Sequence, residues 1–209
     1  MFIFPNYKIE NELYRQGYRN IAGLDEAGRG AWAGPVVAAA VVLPPKLKIK
    51  GLRDSKLLSL KQREELFVVI KKNALAIGVG IVSEKTIDSE GIIGATRRAF
   101  LAAAEKIKEQ VEYLLVDGIK FFGHYLPTSF YIKGDRKIIS IAAASIVAKV
   151  TRDCILIDYH KEYPLYGFDQ HKGYGTAQHM ESLEKHGPCA IHRQSFRPIF
   201  ELGKERLED

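Results

Sequence analysis

Pro35-Val36-Val37-Ala38-Ala39-Ala40-Val41-Val42-Leu43 is apolar without a break and is stopped by Pro44. The run is too short for a typical helix and suits a strand buried on both faces. Ile21 to Asp25 reads the same way. From Ala74 to Val82 the larger residues Leu75, Ile77, Val79 and Ile81 alternate with Ala76, Gly78, Gly80 and Val82, the period of two that a strand demands. The mostly small face of that strand predicts a neighbouring element at close approach. Val111 to Asp117 and Phe130 to Lys133 supply two further strands.

Helices fill the intervals. The first is expected to start at Ser59, whose hydroxyl can cap the opening turn while Gln62, three residues on, completes a capping box; Asn73 can end it. Thr96, Ala99, Phe100, Ala103 and Ile107 fall at helical spacing and form a buried stripe. The Ala-rich stretch from about Ile138 to His160 reads as one long helix. Three early strands followed by β-α-β alternation imply a mixed five-stranded sheet covered by helices, an α/β fold. The pattern changes near Pro164, after which the chain is rich in Gly, His and Tyr and holds one clear helix. A core over 1–163 with a helical C-terminal portion over 164–209, arguably a single domain, is the expected organisation.

At 209 residues, with 46% hydrophobic and 27% charged residues, the chain can bury a substantial core. Met1-Phe2-Ile3-Phe4 gives way to Pro5, Asn6 and Lys8 too soon for a signal peptide, and no later apolar run suits a membrane helix. Cys154 and Cys189 show no pairing pattern. A cytoplasmic monomer is expected. Lys and Arg outnumber Asp and Glu by 31 to 25, for a net charge of +6, a balance that favours polyanionic partners such as nucleic acid.

The acids carry the chemistry. Asp25 and Glu26 end the first apolar strand, Asp117 ends the fourth, and Asp135 follows the fifth. If those ends share one sheet edge, they form a negative cluster suited to hard cations such as Mg²⁺ or Mn²⁺. Taken singly, Asp117-Gly118 and Gly134-Asp135 also read as turn residues. Adjacent strand residues face opposite sides, so for Asp25 and Glu26 to serve one site the strand must end or twist at Glu26, where Gly28 and Gly30 follow. Cys189 and His192, with His179 and His186 nearby, raise a structural zinc site, although a second closely spaced pair is missing.

Gly23-Leu24-Asp25-Glu26-Ala27-Gly28-Arg29-Gly30 and Ala33-Gly34-Pro35 resemble the opening motif of the ribonuclease HII family. Asp54-Ser55-Lys56, Leu115-Val116-Asp117-Gly118, Lys133-Gly134-Asp135, the segment from Ala142 to Asp153, His171-Lys172-Gly173-Tyr174-Gly175-Thr176 and His192-Arg193-Gln194-Ser195-Phe196 are similar to its later motifs, in the same order. Together they run from about residue 10 to residue 200.

The resemblance implies a ribonuclease H-like fold and an endonuclease acting on RNA–DNA hybrids and on DNA duplexes containing single ribonucleotides. It implies cleavage 5′ of the ribonucleotide, leaving 3′-hydroxyl and 5′-phosphate ends, in ribonucleotide removal or primer processing. Asp25, Glu26, Asp117 and Asp135 are its implied ligands for two Mg²⁺ or Mn²⁺ ions. Gly28-Arg29-Gly30 is implied to meet the ribose 2′-hydroxyl, Lys56 a phosphate, and Tyr174 the sugar of the junction. Ser145, Lys149 and Arg152 share one face of the long helix, which reads either as a phosphate-binding face with Ser145 among the substrate contacts or as a solvated one; Arg193 has the same two readings.

The related ribonuclease HIII enzymes typically carry an extra N-terminal domain for which this chain has no room, which favours the HII branch. The chain has Ala31-Trp32 where the family commonly has Pro-Leu, and Ile119 where it usually has a polar residue. Trp32 reads as packed near the site or as a base-stacking platform. No clamp-binding motif is evident in Phe200 to Asp209. Two other functions stay open: another nuclease of the same fold, which the glycine-arginine-glycine and Tyr174 motifs oppose, and a noncatalytic hybrid-binding protein, which the complete set of four acids opposes.

Overall fold

Five strands, β1 (Ile21–Ala27), β2 (Val36–Val42), β3 (Ala76–Val82), β4 (Tyr113–Asp117) and β5 (Thr128–Tyr131), form one sheet in the order β3-β2-β1-β4-β5. The computed structural model describes residues 4–120 and 123–208, with 203–208 as backbone only. Met1-Phe2-Ile3 and the side chains of 203–209, on which two of the sequence readings fall, lie outside it. β2 runs antiparallel to both β1 and β3, while β1, β4 and β5 run parallel, so the sheet is mixed as expected.

Small residues set the layer spacing. A Cβ at Gly78 or Gly80 would stand 2.0 Å from the carbonyl oxygen of Ala103 or Ala99, both in α3 (Glu84–Glu105), so the small face of β3 admits that helix at close range. On the other face a Cβ at Gly23 would lie 2.0 Å from the Ser140 backbone at the start of α4 (Ile139–Glu162). Ala22, Leu24, Ala38 and Ala40 pack toward α3. Ala39 and Val41 pack toward α4 and α2 (Leu60–Asn73). The capping box at Ser59 and Gln62 is present, and α2 ends at Asn73.

Several elements depart from expectation. α1 (Lys8–Arg15) precedes β1; it buries Glu10 and Leu13, with Ile9 and Tyr14 packed beside Leu13 on the cluster of Ile21, Leu115, Ile138 and Ile141. Its Glu10 Oε1 accepts hydrogen bonds from the backbone N–H of Ser140 at 3.0 Å and from its hydroxyl at 2.9 Å, so the cap of α4 comes from a distant segment. β5 occupies 128–131 instead of 130–133. Beyond Pro164 there is more than one helix: α5 (Phe168–His171), α6 (Ala177–His186) and α7 (Arg197–Glu208). Aromatic and histidine side chains fill much of this region, which obscures the aliphatic period. Tyr166, Phe168, Leu183, Ile191 and Ile199 there form one cluster with Ala33 and Leu156. Among the described residues, no helix is long and apolar enough to cross a membrane.

Candidate active site

The sheet register assembles the acids. β1 and β4 pair in parallel up to Leu24 and Val116, both of which face α3. The next residues, Asp25 and Asp117, therefore stand level on adjacent strands and on the opposite face, at the strand spacing of roughly 4.8 Å. Contrary to expectation, β1 does not end at Glu26: its ladder with β2 continues to Ala27 opposite Val37. β4 has stopped pairing by then, so Asp25 and Glu26 stand where the sheet opens, and both line one cleft of about 430 Å³. Asp135 comes from a 3-10 turn, Gly134–Arg136, entered through Lys133 at φ 56°. That turn is tied to β4, because the Gly134 N–H donates to Asp117 Oδ1 at 2.6 Å.

Asp54, quoted in the sequence only as part of a motif, is a fifth carboxylate here and is buried, as Asp25 and Asp135 are, while Glu26 and Asp117 are partly exposed. Asp54 accepts hydrogen bonds from the Lys56 N–H at 2.9 Å and from Arg136 Nε at 3.1 Å. Its place beside Lys56 was the only available signal.

Burial, and repulsion by Glu26 and Asp117, push the Asp25 carboxyl well above the usual carboxylate range. Burial also raises Glu26, against the pull of Arg29, and raises Asp117, against the Gly134 N–H and Lys56. Asp135 is pushed up to about 6 by burial and by Asp54 and Asp117. Although burial opposes its charge, Lys56 is held protonated above its ordinary range by Asp25, Asp54, Asp135 and Asp117.

Such a set of desolvated, mutually repelling oxygens fits a hard divalent cation. Three of the acids are meanwhile turned to protein donors: Asp25 Oδ1 to the Glu26 N–H at 2.7 Å, Glu26 Oε1 to Arg29 Nη1 at 3.3 Å, and Asp117 to Gly134. As these side chains stand, no three His, Cys, Asp or Glu groups among the described residues converge on one ion.

Gly28, Arg29, Gly30, Ser55, Lys56, Ser145, Lys149 and Tyr174 line the same cleft. Ser145 is buried and shares a 2.8 Å hydrogen bond with Ser55. It also stands near enough to the Asp25 carboxyl to offset in part the effect of burial on that acid. Lys149 pairs with Asp153 at 2.7 Å.

Arg152 and Arg193 serve neither a solvated nor a phosphate-binding face: both are fully buried. Arg152 donates to the carbonyls of Pro35 (2.9 Å), Lys172 (2.9 Å) and Ala33 (2.9 Å), and Arg193 to those of Gly34 (2.8 Å), Arg29 (3.0 Å) and Pro35 (3.2 Å). The two guanidiniums thus grip the loop that follows Glu26. Above them, Tyr174 lies 5.2 Å from the Arg152 guanidinium and 5.3 Å from Lys149 Nζ. Trp32 packs against Gly175, where a Cβ would meet its ring at 2.1 Å, and against the His179 ring at 5.4 Å. Ile119 is exposed.

A mixed sheet in this order, with carboxylates level on its central parallel strands, defines the ribonuclease H-like class of phosphodiester hydrolases. The Ribonuclease HII family profile matches residues 22–199. A Ribonuclease HII of Acetivibrio thermocellus is 52% identical over 91% of this chain and 75% of its own length, and one of Chloroflexus aurantiacus is 46% identical over 95% and 96%. Among solved structures, the ribonuclease H2 of Pyrococcus horikoshii superposes with a TM-score of 0.77 at 25% identity, covering 91% of this chain and all of the other. The RNase HII of Archaeoglobus fulgidus, solved in complex with PCNA, has a TM-score of 0.72 at 27% identity, covering 85% and 95%. Bst-RNase HIII in complex with Mn²⁺, at 16% identity and a TM-score of 0.72 over 94% and 73%, shares the fold. The chain belongs to the ribonuclease HII family and is an endonuclease of RNA–DNA hybrids.

Proposed function

We propose that this enzyme hydrolyses the phosphodiester on the 5′ side of a ribonucleotide, in continuous RNA–DNA hybrids and at single ribonucleotides embedded in DNA, leaving 3′-hydroxyl and 5′-phosphate ends. The observation that carries this reading is one cleft lined by Asp25 and Glu26, the Gly28-Arg29-Gly30 turn, Lys56, Ser145 and Tyr174. Asp25, Glu26, Asp117 and Asp135 would hold Mg²⁺ or Mn²⁺, the cation of the Bst-RNase HIII complex supporting a hard divalent ion. Two such ions, when bound, activate the attacking water and stabilise the departing oxygen.

The protein's own groups orient the duplex. Gly30, with open space where a Cβ would stand, leaves the backbone bare for a 2′-hydroxyl, the group that separates ribose from deoxyribose, while Gly28 lets the turn close on Arg152. Lys56 supplies a point charge to a phosphate, and Ser145 a hydroxyl at the wall beside Asp25. The Tyr174 ring, backed by Lys149 and Arg152, forms a flat wall against the next sugar. We read 164–209 as a portion packed on the 1–163 core within one domain, supported by the cluster that joins Leu156 to Leu183 and Ile199. A cytoplasmic location accords with both cysteines being free thiols. The reading is tested by incubating the protein and Mg²⁺ with a DNA duplex holding one ribonucleotide and mapping the cut ends; a cut on the 3′ side, or none, overturns it.

Lys56→Ala is expected to weaken binding of the hybrid and to flatten its log–log salt dependence by about one released counterion. An unchanged slope would confine Lys56 to balancing the acids. Tyr174→Ala is expected to slow cleavage at a single embedded ribonucleotide more than cleavage within a continuous hybrid, both measured in the same metal and salt. Equal losses on the two substrates would leave Tyr174 with general positioning only.

A further inference from the structure

Three buried histidines that take no part in the chemistry above meet behind Tyr174. His192 Nδ1 lies 2.8 Å from the Cys189 N–H, 3.2 Å from its Sγ and 3.3 Å from its carbonyl oxygen; the amide is the nearest partner and can only donate, which assigns the His192 proton to Nε2. That nitrogen lies 3.0 Å from His179 Nε2, which must accept, leaving the His179 proton on Nδ1. His179 Nδ1 in turn faces the Tyr174 carbonyl at 3.0 Å, an oxygen that also accepts the Thr176 N–H at 2.9 Å. Beside them, His171 Nδ1 accepts from the Gly173 N–H at 3.2 Å and Nε2 faces the Tyr166 carbonyl at 2.6 Å, while its ring stacks on His179 with centroids 4.3 Å apart.

Burial pushes His171 below the ordinary imidazole range, His179 down to about 3 and His192 down to about 4. Each ring therefore carries a single proton at neutral pH, and every donor in the chain meets an acceptor. The loop being held needs such support: Lys172 and Gly173 both adopt left-handed backbone, at φ 52° and 76°. Thr176 caps α6 by accepting the His179 N–H at 3.2 Å, which delivers the ring to the loop.

We infer that His192 and His179 form a one-directional hydrogen-bond relay, running from the Cys189 amide to the Tyr174 carbonyl, that positions the Tyr174 ring at the cleft. His179 is a positioning residue, acting on the substrate only through Tyr174. The inference rests on the role proposed for Tyr174 and extends it to residues that line no part of the cleft.

The test is a mutant cycle on the full chain, with the melting temperature followed in parallel. His179→Leu keeps a buried apolar side chain but removes the donor; it is expected to lower kcat/KM by roughly tenfold to a hundredfold, the scale of an ångström misplacement. In the Tyr174→Ala background the same change should cost nothing further. His179→Asn, whose amide can replace Nδ1–H, should restore most of the loss without restoring the contact to His192.

Losses that multiply in the double variant, or a His179→Leu enzyme with full activity beside an impaired Tyr174→Ala enzyme, would overturn the relay. If Tyr174→Ala slows both substrates equally, junction selection fails while the relay still stands or falls on additivity. Should His179→Leu fail to fold, ¹⁵N spectra of the unmodified protein decide: the relay requires Nδ1–H on His179 and Nε2–H on His192, and the opposite tautomer on either ring rejects it.

Discussion

Asp25→Asn and Asp135→Asn are each expected to lower metal-dependent cleavage by more than about a hundredfold while leaving the fold intact, because each removes one charged oxygen from a shared cluster. Asp25 stands level with Asp117 across the parallel ladder, and Asp135 is crowded by both Asp117 and Asp54. Near-normal cleavage by both variants across a range of metal concentrations would remove these acids from the chemistry.

Asp135→Asn carries an opposite expectation for stability. Burial and its acidic neighbours raise the Asp135 carboxyl to about 6, above its value of about 3.9 in an unfolded chain. The stability linked to its protonation is therefore full below about pH 4 and is lost as pH rises through 6. At pH 7 and without metal, Asp135→Asn should melt no lower than the parent protein and up to a few degrees higher, on the order of 1 kcal/mol. Added Mg²⁺ should raise the melting temperature of the parent more than that of the variant. Melting curves with and without metal check both statements, and a large drop for metal-free Asp135→Asn would contradict them.

The second large effect separates two glycines in one turn. Gly28 has φ 97°, and a Cβ there would lie 2.1 Å from Arg152 Nε and 2.8 Å from the Pro35 carbonyl. Gly28→Ala is expected to cost on the order of 3 kcal/mol, from left-handed strain and overpacking together, and to abolish most cleavage. Gly30 has open space around its would-be Cβ and yet lines the cleft. Gly30→Ala should therefore melt within about 0.5 kcal/mol of the parent. It should still slow cleavage, because the methyl group enters the space assigned to the ribonucleotide. Denaturation midpoints and rates on one substrate test the contrast, and a Gly28→Ala enzyme of normal stability and rate would show that the loop can yield.

Much of this arrangement was legible in the sequence. The unbroken run at 36–42 and the two-residue period at 76–82 mark strands through patterns that tertiary context does not disturb, and Gly78 and Gly80 announce a close neighbour. The four acids were singled out from their places at or just after the ends of apolar runs, and the register that sets Asp25 level with Asp117 follows from those strands. Asp54 was missed because its importance comes from burial against Arg136, a partner 82 residues away. α1 was missed because it is only eight residues long and half of its buried pair, Glu10, is a carboxylate that spacing rules do not count beside Leu13. Arg152 and Arg193 were read as surface or phosphate-binding residues because a helix-face pattern cannot show that backbone carbonyls, instead of acids or phosphates, await a buried cation. Glu26 was expected at a strand end because strand alternation says nothing about where a neighbouring strand stops pairing.

The Pro35 carbonyl, gripped from two sides by Arg152 and Arg193, has a consequence for how the enzyme comes into being. The two anchors lie 117 and 158 residues further along the chain, so the loop beside Asp25 and Glu26 is among the last parts of the molecule that can be set. A nascent chain still on the ribosome, with its first strands already made but Arg193 not yet translated, lacks a finished cutting loop.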